Sequence, residues 1–331
     1  MTLALSASAC TYPAAPRADD TAPAAAVGQR PASQSVFAEL NALSRQANGL
    51  RTPLARYQFY RDRYQRAGGA LRNFTAQVLA ATASELGAYD EALRLYPDGA
   101  PTLRTTPAPL PDASRYRAVD AADGVTELAH DRRIVMVNEA HHAAQTRVLT
   151  LALLPKLRAL GFTHFAAEGL SESDRQLATR GYPTKDSGPY VDEPLYGEIV
   201  RTALRLGFAV VAYESAAQDA DAREEQQAQY LIERVFRKQP DARLFVHAGY
   251  AHVHKRAGYL DAEPMALRLA RKAGIEPLVI DQTLLRPAAP GQEYADYRAL
   301  LARFAIAQPT LLLANEGRAA WQQAGSPAGQ E

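Results

Sequence analysis

Five short apolar runs fix what this chain can fold into: Ile134–Val137, His164–Ala167, Ala209–Tyr213, Leu244–His247 and Pro277–Ile280, with Thr310–Leu313 a candidate sixth. Helix-like stretches separate them, such as "RVLTLALLPKLRALG", "LYGEIVRTALRLG" and "REEQQAQYLIERVFRKQ". Gly161 and Gly207 fall where a helix C-cap is expected. The runs are continuously apolar rather than alternating, so both faces of each strand must be covered. The expectation is an α/β domain over residues 118–331: a mainly parallel central sheet with helices on both faces.

The rest of the chain reads differently. Residues 34–117 are expected to form a helical subdomain and a Pro-rich linker, "PDGAPTLRTTPAPLPDASR". One segment, "LGAYDEALRLYP", resembles a single helix of a tetratricopeptide repeat, and a solenoid needs several such units. Residues 1–33 lack the apolar content for a core and read as a signal followed by a Pro/Ala-rich tether. The one cysteine of the 331 residues, Cys10, excludes an internal disulfide and a Cys-based zinc cage. Its setting, "MTLALSASAC", resembles the end of a bacterial lipoprotein signal, although no basic residue precedes the apolar part and Ala7 stands where Leu is usual. The expected location is therefore the cell envelope, with the membrane contacted only through a lipid anchor. Charge is balanced, 37 basic against 36 acidic side chains, and no Lys/Arg block stands out, so neither nucleic acid nor an anionic membrane surface is expected as a partner.

In an open parallel sheet, ligands bind beyond the carboxyl ends of the strands. The residues that follow each strand are therefore the candidates. After the first run come Asn138, Glu139, His141 and His142; after the second, Glu168; after the third, Glu214. The fourth ends in His247, Gly249, Tyr250, His252 and His254, and Asp281 and Gln282 follow the fifth. Five of the seven histidines thus fall in two short windows, with a carboxylate at each intervening strand end. Such a set suits a base with an orienting carboxylate, or a divalent metal held by His141, Glu168, Glu214 and His252. Each residue also has a plainer explanation. Glu214 stands where a helix opens and fits the dipole there, His164 and His130 sit away from the strand exits, and His254 beside Lys255 suits a solvated position. There is no phosphate-cradling Gly-rich loop, G-x-S-x-G elbow or H-E-x-x-H.

At these residues the chain resembles the Tiki / ChaN / erythromycin-esterase-like superfamily. Gly249-Tyr250-Ala251-His252 fits its second G-x-x-H motif, and Glu168 fits the intervening glutamate. In the first motif, Asn138-Glu139-Ala140-His141, Asn replaces the usual Gly, which is expected to make the turn less permissive. The doubled histidine leaves two registers open: the ChaN and Tiki spacing selects His141, the erythromycin-esterase spacing His142. The resemblance covers roughly residues 118–285.

It implies one of two functions. The first is a hydrolase acting on a small-molecule or peptide ester or amide. Its catalytic set would be Glu139, His141, His142, Glu168 and His252, with Glu139 and a histidine as general base and Zn, Mn or Co as an optional cofactor. The alternative is a ChaN-like lipoprotein that binds haem or metal without turnover, with His247, Gly249, Tyr250, His252 and His254 around the haem. A third, a disused scaffold acting through its helical region, is disfavoured by the intact His and Glu set.

Overall fold

A computed structural model describes residue 39 and residues 42–96, 109–191, 193–217, 219–256, 262–283, 285–289, 295–316 and 319–322. Cys10, the tether and most of the Pro-rich linker lie outside the described residues. The fold is α/β. Its centre is a five-stranded parallel sheet formed by β2 (Ile134–Glu139), β3 (His164–Ala167), β4 (Ala209–Ala212), β5 (Leu244–Gly249) and β6 (Leu278–Ile280). The strand order is β4-β3-β5-β2-β6.

Val137 sits level with His247, which is level with Ala167, so all five strands deliver their carboxyl ends to one edge. Because side chains alternate along a strand, the sheet has two core faces. Val135, Val137, Phe165, Ala167 and Phe245 pack with the helices Ala121–Ala129, Arg147–Ala159 and Pro194–Arg205. Ile134, Met136, Ala166, Leu244, Val246 and Ala248 pack with the helices Ala220–Leu231 and Met265–Ala273. This alternation assigns the exits. Glu139, His247 and Gly249 share the first face, and Asn138 turns to the second.

The candidate sixth strand does not join this sheet. β7 (Thr310–Ala314) pairs antiparallel with β1 (Tyr116–Asp120), a strand not expected from the sequence. Asp120 ends β1 and caps the next helix, accepting from the amides of Ala122 and Asp123 at 2.9 and 3.1 Å.

The N-terminal region is helical as expected, with helices Pro53–Arg66, Gly69–Glu85 and Tyr89–Leu95. Thr52 caps the first, its hydroxyl accepting from Ala55 N, and Pro53 occupies the first turn where it is tolerated. The tetratricopeptide-like segment is the single helix Tyr89–Leu95. It ends at Tyr96, whose ring stacks on His142 with centroids 3.5 Å apart. The helical region thus packs against the back of the strand exits.

Candidate functional site

β2 carries Glu139 to the sheet edge and the chain turns at once, with Ala143 N donating to Ala140 O at 2.7 Å. A short 3-10 turn, Ala144–Thr146, leads into the helix that begins at Arg147. The fold-back brings Arg147 onto Glu139: Nε contacts Oε2 and Nη2 donates to Oε1 at 3.0 Å. Arg147 Nη1 also reaches Glu193 Oε2 at 2.8 Å, and Glu193 caps the helix Pro194–Arg205 through Tyr196 N. Burial alone would raise the Glu139 carboxyl, but Arg147, then His141, outweigh it and hold it well below the usual carboxylate range. Glu139 is thus paired as an anion with Arg147, an arrangement that suits an orienting carboxylate better than the general base expected from sequence. A carboxylate clamped by a buried guanidinium has little proton affinity.

His141 receives the other use of that anion. Its Nδ1 lies 2.7 Å from Glu139 Oε1, so the imidazole is oriented by the carboxylate. The ring stacks on Tyr190 at 4.8 Å and meets Tyr250 edge-on at 5.1 Å. Its side chain is 17% exposed, and Nε2 stands 3.4 Å from the Tyr190 hydroxyl. Burial raises Tyr190 well above its ordinary range and keeps that phenol protonated. His142 turns the other way. Its Nδ1 meets Tyr250 Oη at 2.8 Å, its ring is sandwiched with Tyr96, and burial, then Arg286, push it well below its ordinary value. The sequence left the two histidines equivalent; the structure groups His141 with Glu139 and separates His142 as a buried neutral ring.

Glu168, Gly249, His252 and Glu214 assemble beside His141. Gly249 is level with Glu139 on the neighbouring strand. A Cβ there would lie 2.6 Å from His141 Cε1 and 2.9 Å from Glu168 Oε2. The glycine is required by close approach, and its amide donates to Glu168 Oε2. Gly169 matters for a different reason: its φ of 74° is left-handed, and the Tyr190 ring packs where a side chain would be. Tyr250 is also left-handed, with φ 40°, and is held there by its hydroxyl contact to His142 and by Asn138 donating to its carbonyl at 3.0 Å. That turn brings His252 back over the sheet edge.

Two residues absent from the sequence reading organise this half of the site. Arg223 and Glu224 are adjacent on the helix Ala220–Leu231. Arg223 donates to Glu168 Oε1 at 3.1 Å and to both oxygens of Glu214 at 3.0 Å, and its Nη1 lies 3.0 Å from His252 Nε2. Glu224 Oε1 lies 2.5 Å from His252 Nδ1, and its Oε2 accepts from Met265 N at 2.6 Å. Burial would raise Glu168, but His252 and Arg223 together hold it well below its ordinary range. The helix is capped by Asp219, not by Glu214, so Glu214 belongs to this cluster.

The expected metal set does not fit this arrangement. The Arg223 guanidinium lies within hydrogen-bond distance of Glu168, Glu214 and His252, setting a fixed positive charge among three of the four expected ligands. No group of three or more His, Cys, Asp and Glu side chains among the described residues is arranged to hold a metal ion. The haem set fits no better. His247 is fully buried in the sheet, its Nδ1 3.0 Å from Thr150 Oγ1, and burial lowers it to about 4. His254 is not solvated: its Nε2 pairs with Asp281 Oδ2 at 3.2 Å beneath the surface. Tyr250 and His252 are committed as described.

Asn138 is also not the strained turn expected from its place in the motif, because it lies inside β2. Its amide donates to Asp281 Oδ1 at 2.7 Å, its Oδ1 accepts from Gln282 N at 2.7 Å, and its carbonyl accepts from Gln282 Nε2 at 2.8 Å. Asn138 fastens the exit of β2 to that of β6.

No family model matches the chain, and no curated protein matches it. Two solved structures are similar in part. The type III effector HopBA1 is 17% identical, with a TM-score of 0.36, over 50% of this chain and 84% of its own. A structure described as bacterial protein toxins is 13% identical, with a TM-score of 0.38, over 76% of this chain and 57% of its own. Nothing about the site follows from either likeness.

Proposed function

We propose that the chain is a hydrolase of esters or amides whose general base is His141. The observation that carries this reading is the 2.7 Å contact between His141 Nδ1 and Glu139 Oε1, with Arg147 fixing the carboxylate from behind. An imidazole so oriented leaves Nε2, opposite the carboxylate, to act as the base. Nε2 takes a proton from water, the hydroxide attacks the substrate carbonyl, and Glu139 stabilises the imidazolium until it returns the proton to the leaving group. The Tyr190 O–H, beside Nε2, is the donor for the developing oxyanion. The resemblance to the Tiki / ChaN / erythromycin-esterase-like superfamily supports the same class. We take the substrate to be a small molecule or peptide in the cell envelope, and the anchor to be a lipid on Cys10.

The test is turnover of a panel of chromogenic esters and amides by the purified full chain in the presence of a chelator. His141→Ala is expected to lower kcat by about 10²- to 10⁴-fold, while His142→Phe retains most of it. Equal loss in both variants would count against the assignment.

A further inference from the structure

We infer that the tip of the N-terminal helical hairpin is a docking surface for anionic lipid headgroups. The helix Pro53–Arg66 and the helix Gly69–Glu85 are joined at Ala67 and Gly68. Around this tip, within "RDRYQRAGGALR", stand Arg61, Arg63, Arg66 and Arg72 with one acid, Asp62. The segment carries net +3 in a chain whose total is +1, which leaves the remainder at −2. The arginines are spaced along the sequence, so no block stands out there; the two helices carry them toward the same end of the hairpin.

All four arginines are exposed, and none has an ion-pair partner among the described residues. Three are held over aromatic faces: Arg61 over Tyr57 at 5.6 Å, Arg63 over Phe59 at 5.2 Å and Arg72 over Tyr64 at 4.0 Å. Arg72 Nη1 also donates to Tyr64 O at 3.0 Å. Arg63 and Arg66 lie in the last helical turn, where a cation favours the dipole. That does not account for Arg61 or Arg72. Stacking orders a guanidinium while leaving its N–H edge free for phosphate.

Those same contacts favour lipid over nucleic acid. Single strands are bound by stacking bases on aromatic rings, and here Tyr57, Phe59 and Tyr64 are already covered by arginine. The lipid proposed on Cys10 would tether the chain 43 residues before Pro53, where the hairpin begins. A basic patch held near the bilayer by such an anchor adds attraction to anionic headgroups.

The experiment is co-sedimentation of the full chain carrying Cys10→Ser with vesicles of phosphatidylcholine alone or mixed with phosphatidylglycerol. Binding is expected only with phosphatidylglycerol and is expected to fall as salt rises. It should weaken on the order of a thousandfold in the Arg61→Gln, Arg63→Gln, Arg66→Gln, Arg72→Gln variant. A triple variant that spares Arg72, and so the Tyr64 contact, separates lost charge from lost folding and should also weaken. Binding that is indifferent to phosphatidylglycerol, or unchanged in both variants, overturns the inference. So does tighter binding of a single-stranded oligonucleotide than of the anionic vesicles.

Discussion

Gly249 carries no side chain, and that absence decides how closely His141 and Glu168 can approach. A methyl group there would press on both, 2.6 Å from the imidazole and 2.9 Å from the carboxylate. Gly249→Ala is therefore expected to lower kcat at least tenfold by displacing the base, with the far-ultraviolet dichroism unchanged; kinetics alongside the spectrum would check it. Glu139→Gln leaves Arg147 buried without its anion and should lower stability by about 3 kcal/mol, as well as lowering kcat, which urea unfolding and turnover measure separately. Stability also has a pH signature. His247 is lowered from 6.5 to about 4 by burial, and His142 is lowered as well, again first by burial. Both are neutral when folded and bind protons more readily when unfolded, so the stability they contribute is complete above pH 6.5 and is lost as pH falls toward 4. For His247 the loss amounts to about 3 kcal/mol, and His142→Phe should flatten the slope over that window. These residue-scale choices were only partly legible in the sequence. Glu139, Glu168 and His252 were visible at strand exits. The distinction between His141 and His142 was not, because it depends on the tight turn from Ala140 to Ala143 that points one ring in and the next one back.

At the scale of elements, the strands were the legible part. Their apolar runs specified a covered parallel sheet, and a parallel sheet collects its exits along one edge. The helices hid more. Arg147 opens one helix, and Arg223 and Glu224 lie early in another; in sequence such charges look like a solvated face. Only the packed helix Ala220–Leu231 turns Arg223 toward Glu168 and Glu214 and its neighbour toward His252. β1 and β7 escaped for a similar reason, since "YRAVD" mixes charge into a short strand and its pairing partner is distant in sequence. Asn138 belongs to this scale too, because it joins two strand ends. Asn138→Gly removes its side-chain bonds to Asp281, Gln282 and the Tyr250 carbonyl. It is expected to cost about 3 kcal/mol at roughly 1 kcal/mol per bond, read as a lower midpoint in urea. No loss would mean that the Asn is incidental.

For the whole molecule, the helical region and the α/β domain meet where Tyr96 lies on His142, beside Tyr250 and the candidate site. The base proposed for it is His141 oriented by Glu139, with Glu139 held by Arg147 and a neighbouring carboxylate pair, Glu168 and Glu214, bridged by Arg223. The most direct measurement is the pH–rate profile of ester or amide turnover for the wild type, His141→Ala and Glu139→Gln, each with chelator and again with added zinc. Turnover is expected to resist chelator, to be abolished in His141→Ala and to be much reduced in Glu139→Gln. Turnover that vanishes with chelator and returns with zinc, or that survives in His141→Ala, would contradict the assignment.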